Sequence, residues 1–244
     1  MIHIPILRAG RAEPFPPVDR ALPEPNGLLA AGGDLSPERL LDAYRHGIFP
    51  WYDADTPILW WSPDPRTVFD TAHVHRAARL RRWLRGCDWQ LRADHAFERV
   101  LRACAAPRAR QPGTWITPEM HAAYARLHAL GHAHSVEVYA GEALVGGIYG
   151  VAIGRMFFGE SMFSAATNGS KVALLALCRA LHGWGFPLLD AQVDSPHLAT
   201  LGAYTMPRRA FADAVARLTA QADPAGSWAT RWPAGLATAR ALAD

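Results

Sequence analysis

The stretch SVEVYAGEALVGGIYGVAIGRMFFGESM, residues 135–162, contains three runs in which apolar side chains alternate with polar or small ones. A period of two predicts three antiparallel strands, over Ser135–Tyr139, Ala143–Tyr149 and Met156–Met162. A helix from Ser170 to His182 and a strand over Leu188–Val193 are predicted to follow. The stretch therefore indicates a mixed α/β domain built around an antiparallel sheet.

Three helices are predicted before these strands, over Val74–Arg85, Ala96–Cys104 and Pro118–Leu130, the last of them closed by Gly131. The resulting order of helix, three antiparallel strands, helix and strand matches the core of the GNAT-like acyltransferase fold. We therefore expect an α/β (α+β) fold whose main part is a GNAT-like domain.

The first sixty-odd residues differ in composition, because they are rich in prolines and aromatic side chains. Prolines are excluded from helix interiors and central strands, so most of this region is expected to be loop and edge structure. One helix is predicted, with Ser36 as N-cap, Pro37 as its first residue and Gly47 after its end. We expect a small N-terminal domain over residues 1–64 and the GNAT-like domain over residues 65–244.

Composition limits the classes of function. The formal net charge of the 244 residues is only +3, so an anionic partner must be bound by a local patch. Three widely spaced cysteines, at positions 87, 104 and 178, predict reduced thiols and a cytoplasmic protein. The longest apolar run, Val172–Cys178, is too short to span a bilayer, so we expect no membrane association.

The strand over Leu188–Val193 has a carboxylate and an amide on one face, at Asp190 and Gln192. On spacing alone this is either a buried polar pair that holds a loop or an acceptor that orients an attacking amine. A similar choice applies to Phe158, Glu160 and Met162, which alternation places on one face beside Gly159. They fit a pocket for an apolar amino acid with one counter-charge, or a half-buried strand with a glutamate at its rim.

The predicted helix over Val74–Arg85 is the densest basic run, with arginines at 76, 79, 81, 82 and 85. It is either a solvated helix face or a patch for nucleic-acid phosphates. His128, His132 and His134 raise the question of a metal site, but they straddle the predicted helix end at Gly131. We therefore expect no metal. We also expect no cofactor, because P-loop and dinucleotide-binding fingerprints are lacking.

Several longer blocks carry a resemblance to a known family. They are residues 25–36 (PNGLLAAGGDLS), 44–51 (YRHGIFPW), 58–66 (ILWWSPDPR), 113–117 (GTWIT), 131–135 (GHAHS), 144–147 (LVGG), 159–164 (GESMFS), 189–192 (LDAQ) and 201–203 (LGA). In this order and spacing, over about residues 14–212, the chain resembles the leucyl/phenylalanyl-tRNA–protein transferases.

The resemblance implies transfer of Leu, Phe or Met from aminoacyl-tRNA to the N-terminal Arg or Lys of an acceptor protein. The product would carry a residue that marks it for degradation. The resemblance assigns catalysis to Asp190 and Gln192, and it points to the predicted arginine helix for the tRNA acceptor stem. The residues expected around the aminoacyl-adenosine are Trp51, Trp115, Phe158, Gly159, Glu160 and Met162. We expect a monomer.

The main alternative is an acetyl-CoA-dependent N-acetyltransferase on the same fold. Such enzymes bind the pyrophosphate at a Gly-rich turn before a helix. The chain has Ala165-Ala-Thr-Asn-Gly-Ser170 at that place, which lacks the Q/R-x-x-G-x-G/A pattern. A second alternative is a tRNA-binding module that has no catalytic activity. Such a module would not need Asp190 next to Gln192.

Overall fold

A computed structural model describes residues 4–106 and 116–243. The strands are β1 (Ile6–Leu7), β2 (Leu28–Gly32), β3 (Phe49–Pro50), β4 (Leu59–Trp61), β5 (Arg66–Asp70), β6 (Gln90–Ala93), β7 (Ala133–Ala140), β8 (Ala143–Ile153), β9 (Met156–Ser164), β10 (Leu188–Gln192) and β11 (Tyr204–Met206). They form a small sheet in the order β1-β2-β4-β3 and a seven-stranded sheet in the order β11-β5-β10-β9-β8-β7-β6. The mixed α/β class is confirmed.

The helices are α1 (Pro37–Arg45), α2 (Ala78–Arg85), α3 (Phe97–Ala105), α4 (Pro118–Ala129), α5 (Gly169–Gly183), α6 (Pro196–Thr200), α7 (Arg208–Thr219) and α8 (Trp228–Arg231). The predicted start of α1 is confirmed, because the Ser36 hydroxyl accepts a hydrogen bond from the Arg39 backbone N–H and Pro37 is the first helical residue. Gly47 follows the helix end at φ +71°, a conformation that suits glycine. In the described residues no helix is long and apolar enough to cross a membrane.

The three predicted central strands are confirmed as β7, β8 and β9, each longer than the alternation suggested. They pair antiparallel in chain order. The next predicted strand, β10, lies parallel to β9 on one side and antiparallel to β5 on the other. Asp190 therefore lies on a central strand of the large sheet rather than at its edge.

The predicted helix over Val74–Arg85 is too long at its N-terminal end, since α2 begins at Ala78. The segment before it is held in another way, because the His75 N–H donates to the Leu201 carbonyl. Ala77 is exposed and precedes the helix, whereas Leu80 and Leu84 of α2 are buried.

Two apolar cores lie within the described residues. The first joins Trp60 of the small sheet and Tyr44 of α1 to Tyr124 of α4, Phe158 of β9 and Phe211 of α7. The second surrounds α5. Because the first core takes residues from both sides of position 64, the division into two domains there stays a prediction.

Candidate active site

A β-bulge in β9 lies between Phe158 and Met162. Tyr149 of β8 pairs with Ser161, and the next residue, Gly150, pairs with Gly159, so Glu160 is an extra residue in β9. A bulge re-aims the side chains that follow it. Phe158 faces the first core and Glu160 contacts two of its tyrosines, whereas Met162, which follows the bulge, packs against the second core. The prediction that Phe158, Glu160 and Met162 share one face is therefore wrong for Met162.

Glu160 forms a closed triangle with two buried tyrosines. The Tyr44 hydroxyl lies 2.7 Å from Oε1 and the Tyr124 hydroxyl 2.7 Å from Oε2. The two hydroxyl oxygens are themselves 2.5 Å apart. Three short contacts between oxygens require three protons, and two phenols supply only two. The geometry therefore favours a protonated Glu160.

The electrostatics of the triangle agree with that count. Burial raises the pKa of the Glu160 carboxyl from its ordinary 4.5 to about 7, although the hydrogen bonds from Tyr124 and Tyr44 act in the opposite direction. Burial and the nearby Glu160 raise the pKa values of Tyr44 and Tyr124 well above 10, so both phenols keep their protons. Glu160 is thus a carboxyl group that titrates near neutral pH.

Asp190 is fully buried and forms a bidentate ion pair with Arg66. Arg66 Nε donates to Oδ1 at 2.8 Å, and Nη2 donates to Oδ2 at 2.6 Å. The third nitrogen, Nη1, donates to the Gly47 carbonyl at 3.1 Å. The guanidinium also lies 4.5 Å from the ring centre of Phe211 and 4.8 Å from that of Phe49. In this conformation both Asp190 oxygens are turned to Arg66 and not to the surface.

Gln192 ends β10 in an unusual backbone conformation, with φ +58°. Its backbone N–H donates to Asp190 Oδ1 at 2.9 Å, and its side-chain Nε2 donates to the Gly159 carbonyl at 2.6 Å. Because that carbonyl can only accept, the amide oxygen Oε1 faces the other way. Strand β10 passes close to Gly159, since an added Cβ would lie 3.3 Å from the Asp190 carbonyl oxygen.

The remaining predicted site residues lie in several places. Trp51 is 45 % exposed, and its ring centre is 5.9 Å from that of Trp61. Trp115 lies outside the described residues. On α2 the exposed arginines are Arg79, Arg81, Arg82 and Arg85. Arg76 lies before the helix and donates to the Leu242 carbonyl at 3.1 Å.

The histidines considered for a metal have separate surroundings. The His128 ring stacks on Phe97 with 4.1 Å between ring centres. His134 contacts Asp94 at 2.7 Å and stacks on Trp228. No group of three or more His, Cys, Asp or Glu side chains suited to a metal occurs within residues 4–106 and 116–243.

Three residues that contact Glu160 or Asp190 were not predicted from the sequence. They are Arg66, Tyr44 and Tyr124. Arg66 ends the ILWWSPDPR block and Tyr44 begins the YRHGIFPW block, so both stood in motifs with no role given to them. Tyr124 occupies an ordinary helix position with no local signal. Only the pairing of β5 with β10, more than a hundred residues apart, brings Arg66 to Asp190.

Comparison with known proteins gives a consistent result. A family model described as leucyl/phenylalanyl-tRNA protein transferase matches residues 68–216, and the model for its N-terminal domain matches residues 33–64. The leucyl/phenylalanyl-tRNA–protein transferase of Xanthomonas euvesicatoria is 61 % identical over 228 residues, covering 93 % of this chain and 91 % of the relative. That of Xylella fastidiosa is 58 % identical over 216 residues, with 88 % and 89 % covered.

Among solved structures, L-PGS from Bacillus licheniformis is similar at 10 % sequence identity. The match covers 70 % of this chain and 57 % of that one, with a TM-score of 0.38.

Proposed function

The chain belongs to the leucyl/phenylalanyl-tRNA–protein transferase family, and from this we propose that it moves Leu, Phe or Met onto acceptor proteins that begin with Arg or Lys. The chain is an aminoacyltransferase that takes an amino acid from its tRNA to the N-terminus of a protein. The added residue then serves as a degradation signal. The protein acts as a cytoplasmic monomer with a small N-terminal domain over residues 1–64 and a GNAT-like domain over 65–244.

The observation that carries the proposal is the contact of Gln192 with Gly159, the residue before Glu160, where β9 and β10 end their pairing. The parallel register runs only from Leu188 opposite Met156 to Asp190 opposite Phe158. Beyond it the Gln192 side chain reaches across to the Gly159 carbonyl. The parallel pairing of β10 with β9, next to the antiparallel β7–β9, is also what supports a GNAT-like fold.

The transfer needs positioning more than activation. The ester that links an amino acid to tRNA is already activated, so attack by an amine forms the peptide bond as the ester C–O bond breaks. The amine proton finally goes to the ribose oxygen that leaves. A free α-amine has a pKa of about 7.7–8.0, so a substantial minority of it is neutral at cellular pH. The enzyme must therefore mainly hold and orient the two partners.

We assign catalysis to the pair Asp190 and Gln192. The free amide oxygen of Gln192 is placed to accept a hydrogen bond from the attacking amine, because Nε2 is engaged by Gly159. Asp190 holds the turn on which Gln192 lies. A neutral acceptor suits an amine that needs orientation rather than a strong base.

The donor end of the tRNA is proposed to bind around Glu160. We place the aminoacyl-adenosine against Phe158, Gly159 and Glu160, with Trp51 and Trp115 as aromatic surfaces. Met162 keeps its place in this group on the family resemblance alone, since it packs against the second core. Exposed arginines of α2 and Arg76 next to it are proposed to contact phosphates of the acceptor stem.

The alternative, acetyl-CoA-dependent N-acetyltransfer, has less support at the start of α5. Two backbone N–H groups there are already used: Gly169 donates to the Ala166 carbonyl, and Ser170 donates to the Ser164 hydroxyl at 2.7 Å. A pyrophosphate at a helix N-terminus needs such groups free.

The test is transfer of labelled Leu from Leu-tRNA to a peptide with N-terminal Arg. A Leu-Arg product is expected without ATP, CoA or added metal, and none with the same peptide N-acetylated. A peptide with N-terminal Ala tests the acceptor preference. Acetylation of the Arg peptide from acetyl-CoA, with Leu-tRNA left unconsumed, would establish the alternative instead.

A further inference from the structure

We infer that Arg66 is a positioning residue of the transfer reaction, which acts through Asp190 on Gln192. The inference rests on the catalytic role proposed for Asp190 and Gln192. Arg66 begins β5, and no local feature of its sequence suggests an active-site residue.

The contacts of Arg66 need the shape of its guanidinium as well as its charge. Its planar fork donates to both oxygens of Asp190, while its remaining arm reaches the Gly47 carbonyl. The rings of Phe49 and Phe211 lie against the guanidinium. A lysine ammonium is a point charge that cannot fix the plane of a carboxylate in this way.

The fixed carboxylate plane has a consequence for Gln192. Asp190 is fully buried, and its Oδ1 accepts the Gln192 backbone N–H as well as the Arg66 Nε–H. That hydrogen bond supports Gln192 at φ +58°, where residues other than glycine are uncommon. If the carboxylate turns, the support for this conformation is lost.

The position of the Gln192 amide depends on the same conformation. At φ +58° the side chain reaches the Gly159 carbonyl at 2.6 Å, directly before Glu160. Arg66, Asp190 and Gln192 therefore form one chain of hydrogen bonds, which begins at a buried arginine and ends at the proposed amine acceptor, whose Nε2 is held by the Gly159 carbonyl. Arg66 is fully buried, so it acts on the reaction only through this chain.

A double-mutant cycle tests the inference. Arg66→Lys is introduced into the wild type and into Gln192→Ala, and kcat, the KM for Leu-tRNA and the melting temperature are measured with the Arg peptide. In the wild type we expect kcat to fall about 10²-fold, the effect of a displacement near 1 Å, at unchanged KM. In Gln192→Ala the same change should have little further effect on kcat, because the residue through which Arg66 acts is gone.

The matched control is Arg39→Lys. Arg39 is also buried, and it donates to the backbone carbonyls of Arg8 and Arg11. Its substitution should change activity by the same factor in both backgrounds and only in proportion to folded protein. Should Arg66→Lys fail to fold, Asp190→Asn takes its place in the cycle, since it keeps the volume and disrupts the pairing with Arg66.

The outcomes are distinct. Equal losses from Arg66→Lys in both backgrounds, or losses that follow the folded fraction as for Arg39→Lys, overturn the role of Arg66. A wild type that makes no Leu-Arg product overturns the proposed acceptor instead, and the cycle is then run with the peptide that does accept Leu.

Discussion

At the scale of single residues, the Arg66–Asp190 pair is better explained by position than by stability. Removing two charges from water is expensive, and apolar replacements of buried ion pairs are often as stable as the pairs they replace. Arg66 also has two phenylalanine rings against it, so an apolar side chain would find partners there. The pair is therefore dispensable for folding in principle, but it is the means by which Gln192 is held.

This leads to a prediction in which stability and activity separate. Asp190→Ala leaves a buried arginine unpaired and should lower the free energy of unfolding by about 3–5 kcal/mol. Its kcat should fall by about 10²–10⁴-fold even in the fraction that remains folded. Arg66→Met combined with Asp190→Leu should recover most of the stability without the activity.

Chemical denaturation and single-turnover kinetics on the same proteins decide this. A double variant that is both stable and nearly fully active would end the assignment of Asp190 and Arg66 to the transfer reaction.

The Glu160 triangle predicts a dependence of stability on pH. The pKa of Glu160 is raised to about 7 in the folded protein, above its ordinary 4.5. Between these values the unfolded chain releases the proton that the folded protein keeps, so the free energy of unfolding falls as pH rises from about 4.5 to 7. Glu137 has a pKa of about 7 for the same reason and acts in the same direction.

Glu160→Gln, which resembles the protonated acid, should therefore flatten the pH dependence of stability in part, and adding Glu137→Gln should flatten it further. The measurement is the free energy of unfolding from urea titrations at several pH values. An unchanged slope in Glu160→Gln would mean that Glu160 is ionised in the folded protein.

At the scale of helices and strands, the elements that could be predicted are those that depend on local sequence. The alternation in residues 135–162 and the capping residues of α1 and α4 depend on near neighbours, and these elements were confirmed. Strand β5 was missed because its partners, β10 and β11, lie more than a hundred residues away. Its five residues, RTVFD, have no alternation of their own.

The bulge in β9 explains why part of the site could not be predicted. One inserted residue shifts all later side chains to the opposite face, and nothing in the sequence FFGESM indicates where the insertion lies. Alternation correctly grouped Phe158 with Glu160, which lie before the shift takes effect, and wrongly added Met162 beyond it. The tyrosines that bind Glu160 come from α1 and α4, which only tertiary packing brings together.

Helix α2 provides a prediction at this scale. Its buried leucines, Leu80 and Leu84, account for its packing, so its exposed arginines are free for another role. Changing Arg79, Arg82 and Arg85 to Glu should weaken binding of whole tRNA. It should also make the salt dependence less steep, so that the slope of log K against the logarithm of salt concentration falls by about 3. Binding of a minimal aminoacyl-adenosine should not change.

The matched control reverses three exposed arginines elsewhere, Arg102, Arg209 and Arg217, and so alters the net charge equally. Binding measured at several salt concentrations separates a local patch from an effect of total charge. Equal weakening in both triple variants would mean that α2 is ordinary solvated surface.

At the scale of the whole molecule, the two sheets are joined through the site itself. Tyr44 reaches Glu160, Arg66 reaches the Gly47 carbonyl, and Arg208 Nη1 donates to the Ser62 carbonyl at 2.7 Å. The first core continues across the same boundary, from Trp60 to Phe211. The N-terminal part therefore contacts Glu160 and Arg66 of the candidate site and contributes to the core that supports them.

Such a boundary predicts one unfolding transition for the whole chain, despite the two sheets. Separate domains joined by a linker would unfold in two steps, whereas a shared core couples them. In calorimetry we expect the measured enthalpy to equal the van't Hoff enthalpy.

Tyr44→Phe, which removes one hydroxyl from the triangle with Glu160 and Tyr124, should lower the single midpoint through a loss of about 1–3 kcal/mol in the free energy of unfolding. Glu38→Ala, an exposed change on the same helix, should leave the midpoint nearly unchanged. Two transitions, with Tyr44→Phe shifting only the one that hydrogen exchange assigns to residues 1–64, would show that the N-terminal part folds by itself and that its contacts with Glu160 and Arg66 form after folding.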